Sequence, residues 1–318
     1  MKVILAGPYT EGTKERFEKL LIDCQIQEVK TQEEYDALTN GEVIIVRVLK
    51  TPEKTLKNKP FLKAVIRWGA GYDSVDIKAA GERGIMVSTT PGANAYAVSE
   101  LAVAMMLCLG RKLIENTEKT REGIWNNKLF SDQMTSLNHK TVGIIGGGNI
   151  GRSVAQKVQV FGAKTLYYDT VRLSCETEKT YGLEYTEFSS LLEQSDIVTL
   201  HVPLLPDTWH MIGQEQIKIM SPQSILINTA RGGLVDDEAL AAALKTGKLK
   251  GAGLDCVENE ELSSSPFKGL ENVIITPHVG GTCTDLADEM IPRIASQIQK
   301  LIKEGTLNFV VNQDYIKG

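Results

Sequence analysis

Residues 141–151, TVGIIGGGNIG, restrict what this chain can fold into more than any other stretch. An apolar run gives way to glycine at the spacing Gly146-x-Gly148-x-x-Gly151. Val142, Ile144 and Ile145 suit a short buried strand, and Ile150, Val154, Ala155 and Val158 recur at helical spacing after it, so the glycines fall on a strand-to-helix turn. The first glycine permits the tight turn, the second lets a pyrophosphate approach the backbone, and the third lets helix and strand pack closely, while the amides of the new helix face the anion. A second strand, 164–168, ends in Asp169, eighteen residues beyond Gly151, about the interval at which an acidic side chain meets the adenosine ribose hydroxyls. A glycine-rich turn in another kind of parallel-sheet protein is the alternative, and the register of strand, glycines, helix and acid argues against it. NAD is the expected cofactor, preferred over NADP because Asp169 would repel a 2′-phosphate; Arg172, three residues on, would oppose that repulsion.

The flanking sequence predicts an α/β architecture in two domains, as 318 residues exceed what one hydrophobic core usually serves. Residues 1 to about 98 alternate strand and helix, with strands at VILA, near 26, VIIV, AVIR and IMV, which suggests a smaller flavodoxin-like parallel sheet. From residue 141 six strands alternate with helical segments, as expected of a doubly wound, Rossmann-type sheet. Residues 99–120 read as one long helix, too continuously apolar for a free face and so expected to be buried between domains or against a second subunit. A last helix near 285–303 is followed by NFVVN, which can return to the first domain. The expected division is a discontinuous substrate domain, 1–98 with 288–318, and a cofactor domain, 99–287.

A formal net charge of −5 and the lack of a basic stripe argue against nucleic acid or an anionic membrane as partner. The longest apolar run, 101–109, is well short of a membrane span. Five cysteines without C-x-x-C or Cys-His spacing suit reduced thiols in a cytoplasm. A metal site has little support: His201 and His210 are nine apart with no carboxylate at helical spacing, and His139 stands alone. No G-x-S-x-G elbow occurs, which removes the commonest hydrolase pattern.

In a doubly wound sheet, ligands bind outside the carboxyl ends of the strands, and those ends carry Asp169, His201, Thr229, Asp255 and His278. Arg231 follows the strand INTA and precedes two glycines, a place for a guanidinium fork that meets a carboxylate bidentately. Glu260 lies five residues beyond Asp255, and His278 sits between Pro277 and Gly280-Gly281, where a loop can present an imidazole; a carboxylate beside a histidine fixes its tautomer and raises its pKa. Singly, each has a structural alternative: a helix-start ion pair, an exposed acid, a capping histidine. His201, followed by Val202-Pro203, suits the wall of the cofactor crevice or a packed structural role. In the first domain the small residues of 68–73, including Ala70 and Gly71, leave amides able to hold a carboxylate or simply form a tight turn. Arg47 and Arg67 end neighbouring strands there, either as solvated caps or as a pair surrounding a phosphate.

The segments LNHKTVGIIGGGNIGR, HVPLLPDTWHMIG, INTARGGLVDDEAL, GAGLDCVENE and ITPHVGG together resemble the D-isomer-specific 2-hydroxyacid dehydrogenase family, as do PGANAYAVSELAVAMML and GAGYDSVD, so the likeness runs through most of the chain. Departures are small: His139 replaces a usual glycine, and Gly281 a common serine. The resemblance implies hydride transfer between nicotinamide and a 2-oxo or 2-hydroxy acid, with Arg231 binding the acid, His278 as acid/base and Glu260 supporting the histidine. It implies a cofactor lining of Gly146, Gly148, Asn149, Ile150 and Gly151 at the pyrophosphate, Asp169 on the ribose, Val202, Pro203, Thr208, Thr229 and Ala230 along the crevice, and Asp255, His278 and Gly280 near the nicotinamide. It also implies a homodimer formed through the helix 99–120. A formate dehydrogenase is disfavoured because that branch carries glutamine where Glu260 stands, and a non-catalytic corepressor on the same fold is the rival from another class. Arg47 and Arg67 resemble arginines of the 3-phosphoglycerate dehydrogenases, which suggests a short form without a regulatory domain; an unphosphorylated D-2-hydroxyacid is the alternative substrate.

Overall fold

The computed structural model describes residues 1–259 and 264–316. Two compact units divide it: Met1–Asn94 with Gly281–Gly318, and Ala95–Gly280. The chain thus passes between units at 94–95, ahead of the expected 98–99 because the helix expected from 99 starts at Ala95, and at 280–281, ahead of the expected 287–288.

The first unit is built on five parallel strands, β1 (Lys2–Ala6), β2 (Gln25–Val29), β3 (Val43–Val46), β4 (Ala64–Arg67) and β5 (Met86–Ser88), in the order β2-β1-β3-β4-β5. That is the flavodoxin-like order. Strand β3, VIIV, is buried at every residue, as a central parallel strand covered on both faces must be. The tail does return here: Val311 N donates to Val87 O at 2.8 Å, and the buried Asn312 side chain accepts from Val87 N at 2.8 Å while donating to Ile85 O at 2.9 Å. The last helix, Leu286–Glu304, lies against the helix Thr13–Leu20, joined by an Arg16–Asp288 ion pair of 2.7 Å.

Among the described residues the second unit carries seven parallel strands where six were expected: β6 (Thr141–Ile145), β7 (Lys164–Tyr168), β8 (Glu184–Tyr185), β9 (Ile197–Leu200), β10 (Ile225–Asn228), β11 (Gly251–Leu254) and β12 (Val273–Ile275). Their order is β12-β11-β10-β9-β6-β7-β8, the doubly wound arrangement with its switch between β9 and β6. The unexpected β8 is a two-residue edge strand without an apolar run, so no periodicity announces it. Helix Ala95–Gly110 covers one face, packing Ala102, Val103, Met105, Met106 and Leu109 with Val154, Ala155 and Val158 of helix Asn149–Val160. Its continuous apolarity is therefore explained within this unit. Close approach is possible because β11 is GAGL: a Cβ at Gly253 would lie 2.9 Å from the Met105 Cβ. On the other face, Leu240, Ala241 and Leu244 of helix Asp237–Thr246 join Leu191, Leu192, Val198, Leu200, Leu226 and Leu254.

The single helix expected over 99–120 is two helices. Lys112 adopts a left-handed φ of 50°, and Thr135 N takes the Gly110 carbonyl at 2.7 Å, so the chain re-starts as Leu113–Arg121. No residue of this second helix is buried.

Candidate active site

Because all seven strands run parallel, their carboxyl ends share one edge of the sheet, and that edge collects most of the residues singled out above. At the end of β6, Gly146 turns with φ 104°, and a Cβ there would lie 2.6 Å from the His201 carbonyl and 3.0 Å from Val202 Cγ1. A Cβ at Gly151 would lie 2.0 Å from Gly146 O, so this glycine lets the helix Asn149–Val160 begin against the turn. Gly148 differs: it has φ −68°, and a Cβ would meet no protein atom within 4 Å. The protein itself makes no steric demand for that glycine, whereas a pyrophosphate on the helix amides would. Asn149 Oδ1 accepts from Arg152 Nη2 at 2.9 Å, and Ile150 packs on the core beneath the turn.

Asp169, at the end of β7, uses Oδ2 to accept the Gly147 amide at 2.8 Å and thereby ties the second strand to the glycine turn. After β9, His201 donates its amide to Ile145 O at 2.7 Å; its Nε2 meets Thr199 Oγ1 at 2.9 Å, and burial lowers its pKa to about 3, so the ring is neutral at pH 7. Thr208 uses its hydroxyl to close its own loop, donating to Pro203 O at 2.8 Å and accepting from Leu205 N at 2.7 Å. Among the described residues, the buried His201 Nδ1 and Thr229 Oγ1 have no hydrogen-bond partner. Two unsatisfied polar atoms, an open glycine at a helix start and an acid on the next strand make a donor and acceptor set that fits a dinucleotide.

Arg231 leaves β10 on a loop stapled by Asn228, whose Nδ2 donates to Arg231 O at 2.7 Å and whose Oδ1 accepts from Ala230 N at 3.1 Å. The guanidinium Nη1 donates to Ala230 O at 2.7 Å. Asp255 ends β11 almost wholly buried. Its Oδ1 accepts from Thr276 Oγ1 at 2.6 Å and Val279 N at 2.8 Å, and its Oδ2 from Gly280 N at 2.8 Å. His278 stands between those anchors with φ 54°, its amide shared between Asp255 O and Thr276 O and its side chain exposed. The Asp255 carboxylate thus fixes the loop that presents the imidazole. Glu260 lies outside the described residues. Sequence reasoning missed the Asn228 staple, although an amide side chain ending a buried ILIN strand was the available signal. It also missed Glu258, which accepts from Asp237 N at 3.1 Å and pairs with His210 at 2.8 Å behind the Arg231 turn.

Arg47, Arg67, Ala70 and Gly71 belong to the first unit. There the Arg67 guanidinium donates to three backbone carbonyls, Gly71 at 2.8 Å, Val46 at 3.0 Å and Arg47 at 2.6 Å. It staples the 68–73 turn to the end of β3, a structural duty not expected from the pairing of two arginines at strand ends. Arg47 Nη1 donates to Pro8 O at 2.9 Å. Among the described residues no cluster of His, Cys, Asp and Glu is arranged to hold a metal, and no helix is long and apolar enough to cross a membrane.

Residues 103–280 match the family described as D-isomer specific 2-hydroxyacid dehydrogenase, NAD binding domain. The glyoxylate reductase of Thermococcus litoralis is 38% identical over 274 residues, covering 84% of this chain and 82% of that one. The D-3-phosphoglycerate dehydrogenase of Methanocaldococcus jannaschii is 34% identical over 99% of this chain, which spans 60% of that relative's length. Among solved structures, a glyoxylate reductase from Paecilomyes thermophila superposes with a TM-score of 0.86 at 28% identity, covering 99% of each chain.

Proposed function

The chain belongs to the D-isomer-specific 2-hydroxyacid dehydrogenase family, NAD-dependent oxidoreductases, and from that premise we propose that it interconverts a short, unphosphorylated 2-oxo acid of the glyoxylate or hydroxypyruvate class with its D-2-hydroxy acid. The observation that carries the reading is the common sheet edge on which Arg231 and His278 follow β10 and β12, with Asp255 of the intervening β11 anchoring the His278 loop. When bound, the nicotinamide supplies or accepts the hydride. Arg231 holds the substrate carboxylate through its planar fork and polarises the neighbouring carbonyl. His278 carries the proton on its imidazole and releases it to the carbonyl oxygen as negative charge develops there. Glu260, as the family resemblance implies, supports that histidine. Asp169 would accept from the adenosine ribose hydroxyls, and the amides that open helix Asn149–Val160 would receive the pyrophosphate.

The choice of a short substrate follows from Arg67, whose bonds to the Gly71, Val46 and Arg47 carbonyls engage it between the 68–73 turn and the end of β3. Phosphohydroxypyruvate is the second reading, favoured by Arg47 at the end of β3 and by the phosphoglycerate dehydrogenase relative. Catalytic efficiencies for glyoxylate, hydroxypyruvate and phosphohydroxypyruvate with NADH decide between them. A preference for the phosphorylated compound that falls in Arg47→Ala would establish the second reading, and no turnover with any 2-oxo acid would favour a non-catalytic, NAD-sensing protein instead. The protein is further proposed to work in the cytoplasm, since all five cysteines are free thiols, and as a homodimer.

A further inference from the structure

We propose that Glu178 is a cofactor-specificity residue, which holds the Arg172 guanidinium away from the adenosine end of the site and so keeps a dinucleotide bearing a 2′-phosphate from gaining a cationic partner. The inference rests on the dinucleotide reading of the glycine turn.

Residues 169–173 wrap that turn. The segment starts on Gly147, whose amide Asp169 accepts, and ends on it, where Leu173 Cδ1 lies 3.0 Å from the position of a Cβ at Gly147. Arg172 therefore stands between two residues in contact with the glycine turn, three residues from the acid expected on the ribose. An arginine so placed is the group that accommodates a 2′-phosphate in dinucleotide folds. Here the guanidinium is directed elsewhere: Nε and Nη2 donate to the two oxygens of Glu178 at 2.8 and 3.2 Å, and Cζ lies 5.0 Å from the centre of the Tyr185 ring.

Glu178 is held for this task. It projects from helix Cys175–Tyr181 with a side chain only 13% exposed, and its Oε1 also accepts from Tyr167 OH at 2.7 Å. Tyr167 OH in turn accepts from Leu173 N at 2.9 Å, closing the network back onto the loop. A fork occupied bidentately by a carboxylate cannot present the same N–H groups to a phosphate. Without Glu178 the cation, 59% exposed, is free to turn on its own stem, and its positive charge would offset the repulsion by Asp169.

Calorimetric binding of ADP-ribose and of 2′-phospho-ADP-ribose tests this without turnover. Glu178→Ala should tighten binding of the 2′-phosphorylated compound by about tenfold, the size of one charge-assisted contact, and leave ADP-ribose within about twofold. Glu178→Gln, which keeps an acceptor for Tyr167 and guards against a folding defect, should shift the ratio in the same direction by less. The gain should disappear in Glu178→Ala combined with Arg172→Ala. An unchanged ratio in both single variants, or a gain that survives loss of Arg172, overturns the proposal. Failure of the unaltered protein to bind ADP-ribose would overturn the dinucleotide reading itself, and the proposal with it.

Discussion

Asp255 Oδ2 accepts the amide of Gly280 at 2.8 Å, one of three bonds by which this nearly buried carboxylate holds the loop on which His278 stands. Asp255→Asn replaces one acceptor oxygen by an amide that faces backbone N–H donors. The expected loss is about 2–4 kcal/mol of stability, since a buried charged acceptor with several donors is removed. A fall in turnover of about tenfold or more should accompany it as the imidazole loses its fixed position. Denaturant titration and steady-state kinetics measure the two, and full activity at wild-type stability would show that the loop keeps its shape unaided.

His278→Asn should lower turnover by roughly two to four orders of magnitude, the range for one positioned acid/base. Asparagine is the informative replacement because φ is 54° at this position, a conformation it tolerates better than alanine. NADH affinity, followed by fluorescence, should barely move. Retention of turnover would dismiss the histidine from proton transfer.

The glycines of the turn should separate by role. Gly151→Ala meets backbone at 2.0 Å and should destabilise by about 3 kcal/mol or more. Gly148→Ala meets nothing and should fold with near wild-type stability, while NAD affinity falls by about tenfold or more as the methyl obstructs the pyrophosphate. Thermal unfolding paired with calorimetry reads both. Unimpaired NAD binding in Gly148→Ala would place the pyrophosphate elsewhere.

Burial pushes the Asp237 carboxyl up to about 6 against the lowering effect of the bond it accepts from Glu258 N, while the Glu258 and Asp236 charges add to the rise and His210 opposes it. The folded state thus holds this proton more tightly than the unfolded chain. The stabilisation is complete below the unfolded carboxyl pKa and is lost as pH rises through about 6. Asp237→Asn, which keeps an acceptor for Glu258 N, should raise the melting temperature more at pH 8 than at pH 5, by up to about 3 kcal/mol in stability. An equal change at the two pH values would mean that the carboxyl titrates normally.

Helix Leu113–Arg121 and the turn after it expose Leu113, Ile114, Ile124 and Trp125, the last at 90%. Exposed apolar side chains of this kind suit a subunit interface. Light scattering should give a dimer mass for the protein and a monomer mass for Trp125→Glu. A monomer at micromolar concentration in the unaltered protein would reject the proposed homodimer.

The two sheets, and the sheet edge that collects the candidate site residues, were legible in the order of residues. Buried parallel strands are short continuous apolar runs, and a strand, three spaced glycines and an apolar helix leave few foldings for residues 141–160. These are local signals, carried within about twenty residues. How side chains are used across tens of residues became visible only in the packed chain. Arg67 ends a strand as a cation, and in the fold its N–H groups reach the Val46 and Arg47 carbonyls about twenty residues away. The break at Lys112 depends on Thr135 reaching the Gly110 carbonyl, and β8 exists only because β7 offers it an edge. Asp255 is legible in the sequence as a strand-end acid, but only in the fold does it receive Thr276, Val279 and Gly280. A charged group's hydrogen-bond capacity is small and directional, so its role is set by whichever donors or acceptors the packed chain brings within 3 Å, which spacing along the sequence does not encode.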